Sequence, residues 1–223
     1  MKTISIGDIH GRDIWKNVNP SKYDKIIFVG DYVDSFTISN TTILNNLLDI
    51  IEFKKSFKNK VILLLGNHDI QYILGYSHFG CSGYRPTMYY DLNETFTKNF
   101  ELFQIAYQID DILWSHAGVH EGWYKQRYKK EISADSLNEL FYITPREDNP
   151  LFDVGYRRGG HYDVGGPLWC DKNELSGSPY RKLNQIVGHT RVDRIIRINK
   201  HNKEIVFIDT LEGDNPVFYE KEI

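Results

Sequence analysis

Three short apolar runs punctuate the first third of the chain, and each stops at a glycine: Thr3–Ile6 before Gly7, Ile26–Val29 before Gly30, and Val61–Leu65 before Gly66. Runs this short, rich in branched side chains and closed by glycine, read as buried strands. Periodicity alone does not separate them from buried helix, so length and the flanking glycine decide. Between the second and third runs, Ile43, Leu44, Leu47, Leu48, Ile51 and Phe57 recur near helical spacing. That predicts a helix over Thr41–Phe57 with Ser39 or Asn40 as its cap. Strand, helix, strand with such a crossover is by default a right-handed βαβ unit.

Further on, Leu92–Leu102 and Glu121–Lys130 carry the pattern of surface helices. They flank an expected hairpin of Phe103–Ile109 and Ile112–Ser115 across Asp110-Asp111. Gly75–Tyr90 and Thr144–Pro167 read as loops, and loops of that length in a compact domain are usually functional. The end of the chain predicts four short strands, Gln185–Val187, Ile195–Ile198, Glu204–Asp209 and Val217–Glu220, in a sheet that leans antiparallel. No repeat or linker interrupts the pattern, which points to one α/β domain.

Composition narrows the class. With 223 residues, 41% hydrophobic and a net charge of −3, the chain can bury a core and is not a general coat for nucleic acid. No apolar run approaches the ~18 residues of a membrane span. The N-terminal MKTISIGDIHG does not read as a secretory leader. Cys81 and Cys170 show no metal or redox spacing and read as free thiols of a reducing compartment. A cytoplasmic protein is expected.

The strand ends carry the chemistry. The first run empties into Gly7-Asp8-Ile9-His10-Gly11, the second into Gly30-Asp31-Tyr32-Val33-Asp34, and the third into Gly66-Asn67-His68-Asp69. Ser115-His116-Ala117-Gly118 and Gly188-His189-Thr190 follow the later strands. Ligands of open α/β sheets bind beyond the carboxyl ends of strands. Asp, Asn and His without thiolate suit Mn, Fe, Zn, Ni or Mg. Two carboxylates, Asp8 and Asp31, set against two divalent ions leave a positive site, as a phosphate ester requires.

In that order, the five motifs resemble those of the calcineurin-like metallophosphoesterases, specifically the phosphoprotein-phosphatase branch and its bacterial and phage members. The resemblance implies a two-sheet α/β metallophosphatase sandwich flanked by helices, four layers in the order αββα, with a bimetallic site at the strand C-terminal ends. One such domain would cover residues 1–223. It also implies that Asp8, His10 and Asp31 hold the first metal, that Asp31 bridges to the second, and that Asn67, His116 and His189 complete the ligand set of that second metal. His68 would protonate the leaving alcohol, oriented by Asp34, while a hydroxide activated by both ions attacks phosphorus. Manganese leads as the cofactor, with Fe, Zn, Ni or Mg as alternatives. The expected partner is a phosphorylated protein, foremost a serine/threonine phosphoprotein, or a small phosphorylated substrate. The runner-up substrates are nucleotides, nucleic-acid ends or diadenosine tetraphosphate, and a catalytically weak metal-binding scaffold is the reading from another class. Membrane attachment and extended nucleic-acid binding are not expected.

One departure stands out. The family continues Gly-Asp-x-x-Asp with Arg-Gly, and that arginine grips the phosphate; here the residues are Ser35-Phe36. A serine does not replace a guanidinium fork. Arg158 and Arg157, beside Gly159-Gly160, rank ahead of Arg12 and Arg181 as substitutes. Asp34 could also cap the following helix. Asp69 reads as a helix N-terminal carboxylate without a catalytic part, and His120-Glu121 as a solvated helix start. His78, His161 and His201 lack supporting context. Tyr72, Tyr76, Phe79, Tyr84, Tyr89 and Tyr90, with Arg85 among them, are either a packed surface loop or a lid or wall that stacks on a base or a tyrosyl ring. The basic Tyr124–Lys130 reads as a solvated helix face.

Overall fold

The computed structural model describes residues 1–75, 80–143 and 149–223, so Tyr76, His78 and Phe79 of the aromatic stretch lie outside it. The chain forms two compact units. Unit 1 comprises Met1–Gln104 with Phe218–Ile223, and unit 2 is Ile105–Val217.

Unit 1 is built on the glycine-terminated runs. β1 (Lys2–Ile6), β2 (Lys25–Phe28) and β3 (Val61–Leu64) pair in parallel, with Ile4 beside Ile26 and Ile27 beside Ile62. Ile6, Ile26, Ile27, Phe28, Leu63 and Leu64 are fully buried. Each such side chain contributes about 1.5–3 kcal/mol relative to exposure. α1 (Asn40–Ser56) joins β2 to β3, and the Ser39 hydroxyl accepts the Thr42 N–H at 3.2 Å. Ser39 is therefore the cap, and Asp34 is not. Ile43, Leu47, Ile50 and Ile51 form its buried stripe. α2 (Asn67–Leu74) starts directly after β3, and α3 (Tyr89–Lys98) begins three residues earlier than its apolar pattern suggested, behind a short turn at Pro86–Met88.

Two strands of this sheet correct the sequence reading. Phe103 does not open the hairpin: β4 (Phe103–Gln104) pairs in parallel with β3. The last strand, β10 (Tyr219–Glu222), leaves its sequence neighbours and pairs antiparallel with β1. The sheet order is β10-β1-β2-β3-β4.

Unit 2 holds a second five-stranded sheet, ordered β5-β6-β7-β9-β8. β5 (Ala106–Ile109) and β6 (Ile112–Ser115) form the hairpin, with Asp110 at φ 50°. β7 (Asn184–Val187) runs parallel to both β6 and β9 (Lys203–Phe207), so the sheet is mixed and does not lean antiparallel. β8 (Ile196–Lys200) returns to β9 through His201-Asn202, both at positive φ, as a type I′ hairpin turn requires. Ala117, Leu175, Val187, Ile205 and Phe207 share one buried cluster. α4 (Glu121–Trp123) opens on His120, whose ring accepts the Gly122 N–H, and continues into a π-turn over Tyr124–Tyr128. The expected helix there is thus shorter and wider. α5 (Ala134–Ile143) and α6 (Lys172–Gly177) were not anticipated. Among the described residues, no helix is long and apolar enough to cross a membrane.

Candidate metal centre and acid–base pair

In unit 1 the loops after β1 and β2 are laced together by backbone, and the segment after β3 packs against them. The N–H groups of Ile9 and His10 donate to the Asp31 carbonyl, at 3.0 and 2.8 Å, and Gly11 N–H donates to Tyr32. Such close approach needs glycine. A Cβ on Gly66 would stand 2.1 Å from Asp31 Oδ1, and one on Gly30 would stand 2.4 Å from the Gly66 nitrogen. His10, Asp31 and Asp34 have φ of 43°, 54° and 61°. Non-glycine residues held in the left-handed region cost free energy that surrounding structure must offset, and they cluster at functional sites.

These loops deliver buried polar groups. Asp8, Asp31 and Asp34 are at most 2% exposed, and Asp69 is fully buried. The Asp69 carboxylate takes the N–H groups of Asp31 (2.8 Å), Tyr32 (2.9 Å) and Gly66 (2.8 Å). It joins the β2 loop to the start of α2. Buried carboxylates in such number favour a cation. Burial pushes up the Tyr32 hydroxyl and the Cys81 thiol, and the Asp31 charge raises both further. Without a metal Cys81 is accordingly a neutral thiol.

Two histidines differ in partner. His10 Nδ1 faces the carbonyls of Val33 and Asp34, at 2.9 and 3.0 Å. Carbonyls only accept, so Nδ1 carries the proton and Nε2 keeps the lone pair of a metal ligand; that atom faces Asp31 Oδ2 at 3.8 Å. His68 Nδ1 instead donates to the Asp34 carboxylate at 2.8 Å, and its backbone N–H donates to Asp31 Oδ1 at 2.9 Å. Burial would lower the His68 pKa, but the charge of Asp31 and the hydrogen bond and charge of Asp34 outweigh it and raise it to about 9. The donor atoms of His10, Asp31 and His68 lie within 4.8 Å of one another, a spacing one divalent ion could span. Asp8 is buried nearby in sequence but joins no such three-donor group among the described residues of unit 1. Asn67 donates its amide nitrogen to Cys81 Sγ at 3.2 Å, which turns its side-chain carbonyl oxygen away from the thiol.

In unit 2, β6 and β7 bring two more imidazoles together. His116 Nε2 lies 3.1 Å from His189 Nδ1, and the rings meet edge to face at 4.9 Å. The Gly188 N–H donates to the His116 carbonyl, tying the strand ends, and His189 again sits at positive φ, 66°. Two imidazole nitrogens this close suit a shared cation.

Residues 1–190 match the family described as calcineurin-like phosphoesterase. The chain belongs to that family. A Schizosaccharomyces pombe protein, provisionally assigned as a serine/threonine-protein phosphatase, is 29% identical over 122 residues. That match spans 51% of this chain and only 38% of the yeast protein. Among solved structures, a cold-active protein-tyrosine phosphatase from a psychrophilic Shewanella superposes with a TM-score of 0.63 at 17% identity, over 98% of this chain and 74% of that one. A provisionally assigned diadenosine tetraphosphatase gives 0.50 at 14%, over 98% and 87%. Membership carries the fold, two mixed sheets with flanking helices.

Where the family pattern has arginine, Ser35 turns its hydroxyl to the N–H groups of Thr37 and Ile38. The Arg85 guanidinium rests on the Ser35 carbonyl and on Asn40 Oδ1. Of the substitutes, Arg158 donates to Thr190, next to His189, and pairs with Asp171 at 3.2 Å. Arg12 lies against the carbonyls of Ile9 and His10. Arg157 and Arg181 are exposed, and neither side chain bonds a member of either histidine cluster. Sequence reasoning passed over Gln71, read Tyr72 and Arg85 only as parts of an aromatic stretch, and read Cys81 only as a free thiol. The available signal was spacing: Gln71 and Tyr72 follow His68 by three and four positions, one face of a helix.

Proposed function

We propose that this chain hydrolyses phosphate monoesters, with serine/threonine phosphoprotein as the leading substrate. On this reading Asp8, His10 and Asp31 of unit 1 hold one divalent ion, and Asn67 with His116 and His189 of unit 2 hold a second, Asp31 serving both. The two units then work as one domain. Manganese is the leading metal, and the reaction takes place in the cytoplasm. When bound, the ions supply Lewis acidity to the phosphoryl group and acidity to the attacking water.

The observation that carries the reading is the division of labour between His10 and His68. Their rings stand 5.0 Å apart, yet carbonyl partners prepare one as a metal ligand and a carboxylate partner prepares the other as a proton donor. His68 holds a proton at neutral pH and can give it to a leaving alkoxide. Asp34 keeps the ring oriented and stabilises the imidazolium. Arg158, and then Arg12, are the side chains proposed to hold the phosphate, with Arg157 and Arg181 behind them.

A nucleotide or dinucleoside polyphosphate substrate is the second reading. It is favoured by Phe36, which stands where the family pattern has glycine, is 82% exposed and offers a ring face to a base. Parallel assays with manganese on a phosphoserine peptide, a phosphotyrosine peptide, diadenosine tetraphosphate and a 3′-phosphorylated RNA rank these substrates. The reading expects the phosphoserine peptide to lead. Metal-dependent hydrolysis that survives Asp31→Asn and His189→Ala together would refute the mechanism.

A further inference from the structure

We propose that Gln71 and Tyr72 are positioning residues of the His68–Asp34 pair, and that the substrate they serve is the phosphate ester of an aliphatic alcohol. The inference rests on the function proposed above and concerns its proton-donating half.

Three donors converge on one buried carboxylate. Asp34 Oδ2 accepts from His68 Nδ1 at 2.8 Å and from Gln71 Nε2 at 2.5 Å, and Oδ1 accepts from the Tyr72 hydroxyl at 2.5 Å. Asp34 is 2% exposed, and Gln71 and Tyr72 are fully buried. A carboxylate so held cannot rotate without breaking a charge-assisted bond in a dry setting.

The sense of both added donors is fixed from outside. The Cys81 N–H donates to Gln71 Oε1 at 3.2 Å, so the Gln71 nitrogen must face Asp34. The Arg85 N–H donates to the Tyr72 oxygen at 2.9 Å, so the hydroxyl proton must go to Asp34. The Tyr72 ring is stacked on Tyr84 at 5.2 Å. Backbone of residues 81 and 85 therefore orients two side chains, these orient Asp34, and Asp34 orients His68. With Nδ1 committed, Nε2 is the atom left to meet a leaving oxygen. That precision serves a leaving group that cannot depart as an anion. An aliphatic alkoxide needs the proton; a 4-nitrophenolate, or the phosphate released from a polyphosphate, needs it far less.

The test compares substrates. Tyr72→Phe deletes one donor and keeps the ring on Tyr84, and Gln71→Met deletes the other. For each, kcat on a phosphoserine peptide should fall about 10- to 100-fold, with KM little changed and 4-nitrophenyl phosphate affected less than about threefold. On an Asp34→Asn background neither substitution should add to the loss. Equal losses on both substrates, or losses that persist on Asp34→Asn, would overturn the proposal. Should Tyr72→Phe fail to fold, Gln71→Met carries the same comparison. Nitrogen-15 spectra of the metal-free protein read the pair without turnover. The His68 Nδ1 proton should exchange slowly in the wild type and faster in the variants, and unchanged exchange would overturn the proposal. A wild type that hydrolyses neither ester with any divalent ion refutes the proposed function itself. Full activity of both variants beside an impaired His68→Ala refutes only the positioning role.

Discussion

The Asp69 carboxylate accepts the backbone N–H of Asp31 at 2.8 Å, so the conformation of a proposed metal ligand is set by a side chain from the first turn of α2. The same carboxylate takes two further N–H groups, from Tyr32 and Gly66. Asp69→Ala would leave three buried donors without their acceptor. At about 1–3 kcal/mol for each unsatisfied buried group, destabilisation of about 3 kcal/mol or more is expected in urea unfolding of the metal-free protein, with weaker metal binding. A loss below about 1 kcal/mol would show that water or another acceptor replaces the carboxylate.

Gly66 gives a steric counterpart. Its hydrogen faces Asp31, and an added methyl group would stand 2.1 Å from Oδ1 and 2.6 Å from the Asp31 nitrogen. Neither atom is the end of a flexible chain, because Asp31 is buried and pinned. Gly66→Ala is expected to cost about 1–3 kcal/mol or more and to lower metal stoichiometry measured after gel filtration. Gly177→Ala, where a Cβ meets nothing within 4 Å, should be neutral in the same assays.

Much of this frame was legible before any coordinate. The runs ending at Gly7, Gly30 and Gly66 became β1, β2 and β3 within a residue or so, and the serine before α1 is its cap. Local chemistry sufficed there, because buried strand, cap and terminating glycine are properties of neighbours in sequence. Sheet membership is not. Phe103 and Tyr219 were assigned to the wrong sheet because two-residue and edge strands are decided by distant partners, Leu63 for one and Ser5 for the other. α6 carried an unread capping box, Asp171 with Glu174. In the site, the residue types that suit metal stood out at the strand ends. Gln71 and Tyr72 did not, since their role depends on a helix starting at Asn67 that the apolar pattern does not announce.

The His68 pKa of about 9 makes stability depend on pH in the metal-free protein. The folded state binds the proton more tightly than the unfolded chain, whose histidine titrates near 6.5. The stabilisation is therefore complete below about pH 6.5 and is lost as pH rises through about 9. The gap in unfolding free energy between wild type and His68→Asn should shrink over that window, by an amount on the order of 3 kcal/mol. Urea midpoints in chelator from pH 6 to pH 10 measure it. A gap that widens with pH would mean that His68 is held neutral, and the proton-donor role would fall with it.

Removing metal and removing charge should have opposite signs at Asp31. Its carboxylate is 2% exposed and lies within reach of His10 Nε2, in a setting shared with buried Asp8, Asp34 and Asp69. Buried like charges are costly unless a cation balances them, whereas a bound cation stabilises the folded state by mass action. In chelator, once His68 has lost its balancing proton above about pH 9, Asp31→Asn should therefore be at least as stable as wild type. With manganese in excess the order should invert, wild type gaining about 2–4 kcal/mol at saturating ion and the variant gaining less and losing turnover. Thermal unfolding of both proteins with and without manganese makes the comparison. A variant less stable in chelator by the same margin as in metal would assign Asp31 a structural role alone, through its 2.9 Å bond to the His68 N–H.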